Sequence, residues 1–128
     1  MTNLERVLSP EERPVIDFRL TPDEAEALRR ALIGKGVLVA VLRLTPDDTE
    51  EDLLRLLAHA AQFPIYFAGD WDAAEAALLD VAAYGDASGL VVMLVGSLTP
   101  GFERLADAIV HSAPRWNEAG KFVRMVLT

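Results

Sequence analysis

Four side chains that could bind a cationic partner lie within ten positions near the middle of the chain: Tyr66, Asp70, Asp72 and Glu75. Carboxylates form charge-assisted hydrogen bonds with arginine and lysine, and a tyrosine ring adds apolar contact area with a polar tip. Glu75 follows Asp72 by one helical turn, so the two carboxylates are neighbours on a helix surface. A purely structural interpretation is also open, because Asp70 is a natural N-cap and Asp72 falls in the positive first turn.

The charge balance favours a basic partner. Twenty acids against 12 bases give the 128-residue chain a net charge of −8. Direct binding of nucleic acid is disfavoured, because phosphates need a basic surface. Opposite fields steer encounters between proteins, although an acidic surface also serves solubility alone.

Composition limits the remaining classes of protein. The absence of cysteine excludes disulfides, thiolate metal sites and a cysteine nucleophile, and it fits a cytoplasmic protein. We expect no membrane segment, because the longest apolar runs have the length of strands. No signal-peptide pattern opens the chain. The length fits one domain, residues 1–128.

Helical patterns lie on both sides of the acidic segment. Thr49 and Asp52 have capping-box spacing, which predicts a helix start, and Pro64 predicts that this helix ends near Gln62. A second helix is predicted to begin at Asp70. Apolar residues at helical spacing after that start face the core, and we expect Trp71 to be among them.

Strands alternate with these helices. Residues 37–44 and 90–95 are continuously apolar and valine-rich for most of their length, which is typical of strands buried on both faces of a parallel sheet. Residues 122–127 form a last strand. Residues 15–20 alternate apolar and polar side chains, which predicts a half-buried edge strand, followed by a helix capped at Thr21. The pattern is that of an α/β domain with right-handed crossovers.

The central segment resembles a known family signature. The residues Phe63-Pro64-x-Tyr66-Phe67-x-x-Asp70-Trp71-Asp72-Ala73 are similar to the motif of the barstar family, small acidic inhibitors of microbial ribonucleases. The resemblance covers about residues 36–128. It implies a barstar-like fold, a small parallel sheet of three core strands packed with helices. Residues 1–35 then form an N-terminal extension that adds a fourth strand and a helix.

The resemblance also implies a function. In this family, a loop and the following helix block the active site of a ribonuclease. Carried over by position, Tyr66, Asp70 and Asp72 would face the cationic cleft of a basic ribonuclease, with Glu75 added on geometric grounds. No catalysis, cofactor or metal is involved, and a monomeric cytoplasmic protein is expected.

Two positions depart from the family pattern where it matters for binding. By register from Asp72, the family's principal acid on this helix falls at Ala76, and a further acid falls near Arg115. One alternative is therefore a non-inhibitory interaction module with the same fold. Another is a small enzyme that binds a phosphate ligand, which would need a pocket at the carboxyl ends of the strands.

Other features are expected to be structural. The acidic run at residues 47–52 is interpreted as a capped helix start rather than a Mg²⁺ site. A helix after Thr99 is predicted to bury Val110 and to be disturbed or ended by Pro114. Trp116 is predicted to have a packing role. Residues 1–12 are predicted to be frayed or loosely packed.

Overall fold

The computed structural model describes residues 2–64 and 69–128. Within these ranges the strands are β1 (Val15–Asp17), β2 (Val37–Leu44), β3 (Gly89–Gly96) and β4 (Phe122–Leu127). The α-helices are α1 (Asn3–Leu8), α2 (Pro22–Gly34), α3 (Glu50–Ala60), α4 (Trp71–Leu79) and α5 (Phe102–Glu118), with a 3₁₀ helix at Val81–Tyr84. None of the helices in these two ranges is long and apolar enough to cross a membrane.

The four strands form one parallel sheet in the order β1-β4-β3-β2. This arrangement confirms the prediction of three core strands with a parallel N-terminal strand at the edge. The edge strand is shorter than predicted. Arg19 has a positive φ of 54° and turns the chain soon after Asp17, although the amide of Phe18 still donates to the Leu127 carbonyl at 3.0 Å.

Helices cover both faces of the sheet. Alternate residues of β3 point to opposite sides, so Leu90 and Val92 pack with α3, α4 and α5, whereas Val91 and Met93 pack with α1 and α2. Burial on both sides explains why the central strand is continuously apolar. The acidic motif lies in the larger, three-helix layer.

Helix α1 packs against the rest of the domain, contrary to the prediction that residues 1–12 are frayed or loosely packed. Thr2 caps α1 by accepting a hydrogen bond from the Glu5 amide at 3.1 Å, and Val7 is fully buried. The buried guanidinium of Arg124 on β4 donates to the Ser9 carbonyl at 2.9 Å. Six-residue helices are unstable alone, so α1 depends on this packing. The spacing of Thr2 and Glu5 is the local signal that could have predicted it.

Replacing Val7 with alanine is therefore expected to lower the free energy of unfolding by about 2 kcal/mol, because it leaves a void under α1. The matched control is Val110→Ala on α5, where the valine is 51% exposed and the change should stay within about 0.5 kcal/mol. Both substitutions replace valine with alanine in a helix, so the change in helix propensity is the same. The difference between their free energies of unfolding, measured in urea, therefore reports the contribution of burial. Equal effects would mean that α1 is not docked in solution.

Helix α5 continues through Pro114, so this proline does not end the helix. The prediction that Val110 is buried is wrong. The exposed positions of Val110 and Pro114 explain both results. Pro114 cannot donate a hydrogen bond to the carbonyl of Val110, but water can bind that carbonyl on the exposed side of the helix, so the helix continues. The buried stripe instead includes Leu105, Ala108, Ile109, Ser112, Ala113 and Trp116.

Candidate protein-binding site

The start of α4 presents two carboxylates. Asp70 is the N-cap, and its Oδ1 accepts a hydrogen bond from the Ala73 amide at 2.8 Å. Asp72 lies exposed in the first turn, where its charge is favoured by the helix dipole. The predicted cap is confirmed, and it leaves Asp72 and the second oxygen of Asp70 available to a partner.

The start of α3 lies beside the start of α4 and adds two more carboxylates. The capping box predicted for α3 is present: the Thr49 amide donates to Asp52 at 2.8 Å, and the Asp52 amide donates to the Thr49 hydroxyl at 3.2 Å. These hydrogen bonds, with help from Arg55, hold the pKa of Asp52 below its usual range. Asp52 is thus committed to the cap, whereas Glu50 and Glu51 line the groove between the two helices.

That groove is open and strongly acidic. Its volume is about 450 Å³, and the described residues that line it are Glu50, Glu51, Leu54, Gly69, Asp70, Trp71, Asp72 and Arg104. Four carboxylates face one guanidinium. The groove can therefore receive a cationic side chain of a partner, which would form charge-assisted hydrogen bonds there.

Trp71 joins the groove to the core. Its ring packs partly buried against the three-helix layer, and its Nε1 donates to Oε1 of Glu50 at 2.5 Å. Nη1 of Arg104 lies 3.7 Å from the same oxygen. Gly101, the N-cap of α5 with a φ of 93°, leaves room for the Glu50 side chain, because a Cβ at Gly101 would lie 2.7 Å from Cγ of Glu50. Trp71 was predicted to face the core; it packs against the core but is only partly buried, and it also lines the groove.

The predicted site residues differ in where the structure places them. Asp70 and Asp72 line the groove together. Glu75 lies one turn further along α4, half-buried, and is not among the described residues lining it. Tyr66 lies outside the described residues. Sequence reasoning missed Glu50 and Glu51 as part of this surface, because it interpreted them only as a solvated helix start.

The outward face of α4 forms a second part of the surface. Asp72 and Ala76 are exposed one turn apart on α4, and the exposed Asp80 follows as the C-cap of the helix, so Ala76 lies between the two acids of this row. Arg115 is exposed on α5. Ala76 and Arg115 are the two positions at which the sequence departs from the family pattern where it matters for binding, and both side chains are accessible to a partner.

Tyr84 fixes the end of α3, from which the chain leaves toward the acidic segment. Its hydroxyl donates to the Ala61 carbonyl at 2.9 Å, and its ring lies 5.1 Å from that of Trp116. Burial, with a smaller contribution from Asp80, raises the pKa of Tyr84 to about 12, so the hydroxyl remains a donor. Trp116 is fully buried and donates to the Leu78 carbonyl at 2.8 Å, which is the packing role predicted for it.

Within residues 2–64 and 69–128, no three His, Asp or Glu side chains come together as a set that could hold a metal ion. Comparisons of the chain with protein-family models, with curated proteins and with solved structures found no match in any of the three. A functional assignment therefore depends on the geometry of this surface and on the resemblance of the central segment.

Proposed function

We propose that this protein is a barstar-like binder that neutralises a basic microbial ribonuclease by placing its acidic surface in the enzyme's active site. The observation that carries the proposal is the groove in which Glu50, Glu51, Asp70 and Asp72 converge. Ribonuclease active sites bind phosphates with cationic side chains, and a set of carboxylates can occupy the same positions.

The arrangement of residues 36–128 supports the barstar-like assignment. The elements β2, α3, α4, β3, α5 and β4 form three parallel core strands packed with helices, as the resemblance implies, and α4 follows the motif in the sequence. This part of the chain also holds 13 of the 20 acids and 6 of the 12 bases, a net charge of −7, whereas residues 1–35 are nearly neutral. The charge that would attract a basic enzyme is thus concentrated in the barstar-like part.

The proposed mechanism is occlusion without catalysis. The acidic field accelerates encounter with the basic enzyme, and the carboxylates then pair with the cations that would bind substrate. Tyr66 would contribute from the segment that precedes α4. The protein would act as a cytoplasmic monomer and would need no cofactor.

The test is to titrate ribonucleases with the protein and with an Asp70→Asn/Asp72→Ala double variant. Asparagine caps helices as well as aspartate does, so the variant removes two charges while keeping the cap. We expect stoichiometric loss of enzyme activity with the natural protein. For the variant we expect association about tenfold slower, with a weaker salt dependence.

The matched control is Asp23→Ala. Asp23 occupies the same first-turn position of α2 and is exposed, but α2 covers the opposite face of the sheet. This variant should associate like the natural protein. If the double variant and the control behave alike, the α4 surface is not the contact. If a barnase-like enzyme and ribonucleases encoded beside this gene all remain fully active, the inhibitory proposal fails.

A second candidate is supported by Ala76 and Arg115. Both are exposed, and neither supplies the carboxylate expected of an inhibitor of a barnase-type enzyme. A non-inhibitory interaction module would use the same acidic groove for another basic protein. It would form a stable complex while ribonuclease activity remained intact.

A further inference from the structure

A second cavity lies on the opposite face of the sheet from the acidic groove. Its volume is about 320 Å³, and it lies between α2 and the carboxyl ends of β2 and β3, partly open to solvent. Leu20, Val41, Met93 and Val95 form apolar walls. In open parallel sheets, ligands bind outside the carboxyl ends of the strands, and pockets for small ligands begin at roughly 300 Å³.

The cavity carries an uncompensated positive charge at its edge. Arg43 lies exposed near the end of β2, on the same side of the sheet as Val41, and it lines the cavity. Among the described residues, no carboxylate pairs with Arg43.

The other charged residues of the cavity neutralise one another. Both Nε and Nη2 of Arg29 donate to the Glu26 carboxylate, at 2.8 and 2.5 Å, and Nε of Arg30 donates to it at 3.1 Å. These hydrogen bonds, chiefly those from Arg29, lower the pKa of Glu26 to about 2, so Glu26 stays charged and Arg29 stays occupied. Arg43 is left as the group that can bind an anion.

We propose that this cavity binds a small carboxylic acid with a short apolar tail. The carboxylate would pair with the Arg43 guanidinium, and the tail would lie against Val41, Met93 and Val95. The single charge of the ligand matches Arg43, the unpaired cation among the described residues that line the cavity, and the apolar walls favour a ligand with an apolar tail over a fully polar anion such as free phosphate. The site is independent of the acidic surface, because the two lie on opposite layers of the sheet.

The experiment is a calorimetric titration of the full chain with hexanoate, with hexanamide as the uncharged analogue. We expect saturable binding of hexanoate, and hexanamide bound at least about tenfold more weakly, because a charged hydrogen bond is lost. Arg43→Gln should weaken hexanoate to a similar degree, and Arg43→Lys should weaken it less. Arg115→Gln, which removes an exposed arginine on the opposite layer, should have no effect.

Methionine methyl resonances locate the ligand independently of any substitution. Met93 lines the cavity, whereas Met125 is fully buried in the opposite layer. Hexanoate should shift the Met93 methyl signal in proportion to occupancy and leave that of Met125 unchanged. Absence of saturable binding, equal affinity for hexanamide, or an unchanged Arg43→Gln titration would each overturn the proposal.

Discussion

A variant with alanine at Gly96 is expected to lose about 3 kcal/mol or more of unfolding free energy, since backbone strain and overpacking each cost about 1–3 kcal/mol. Gly96 ends β3 with a φ of 100°, a conformation that side chains disfavour. A Cβ there would lie 2.2 Å from the Leu44 carbonyl oxygen, which already accepts a hydrogen bond from the Ser97 amide at 3.1 Å. The clash would separate β2 from β3.

Gly120→Ala is the matched control for this prediction. Gly120 also has a positive φ, of 73°, but a Cβ added there would meet nothing within 4 Å. Its replacement should cost only the conformational strain, about 1–2 kcal/mol. Equilibrium unfolding in urea of the two variants isolates the cost of the contact with Leu44. If the two variants are equally stable, β2 and β3 separate there easily, and the close approach does not constrain the sheet.

Gly96 also illustrates why parts of the structure could not be predicted from sequence. The predicted strand at residues 90–95 and the predicted helix after Thr99 place Gly96 where the strand ends, which is correct. The need for glycine arises from Leu44, a residue of another strand. Local signals predicted local features: the caps at Thr21, Thr49 and Asp70 and the buried strands were all found, because their physical causes lie within a few residues of each other.

The candidate site was predicted only in part, for the same reason. Asp70 and Asp72 were found because they belong to one helix start. Glu50 and Glu51 precede Asp70 and Asp72 by about 20 positions in the sequence. They line the same groove because the starts of α3 and α4 lie side by side, which depends on tertiary packing. The burial of Val7 likewise depends on residues far from it in the sequence. Helices α3, α4 and α5 pack on one face of the sheet, and α1 and α2 cover the other face.

If the proposed ribonuclease contact is correct, Ala76→Asp should strengthen binding by about 10- to 100-fold, the range expected for one new charge-assisted hydrogen bond. Ala76 lies exposed between Asp72 and Asp80 on the outward face of α4, so an aspartate there meets no steric obstacle. The new carboxylate lies four positions from both Asp72 and Asp80, and each like-charge pair costs a few tenths of a kcal/mol. With the lower helix propensity of aspartate, the expected loss of stability is about 1 kcal/mol, so the gain should appear in binding and not in stability.

Ala82→Asp controls for the change in net charge. Ala82 is exposed on the 3₁₀ helix beyond α4, so an aspartate there adds the same charge outside the row formed by Asp72, Ala76 and Asp80. Inhibition constants for a barnase-like ribonuclease, measured at two salt concentrations, distinguish the cases. A local contact makes Ala76→Asp tighter at both concentrations, because a pair that loses its water on binding is weakly screened. If the added charge acts only through the overall electrostatic field, both variants should bind more tightly by the same factor, and this gain should decrease at high salt. Equal inhibition by the two variants would therefore remove the outward face of α4 from the interface and would leave the acidic groove as the contact with the enzyme.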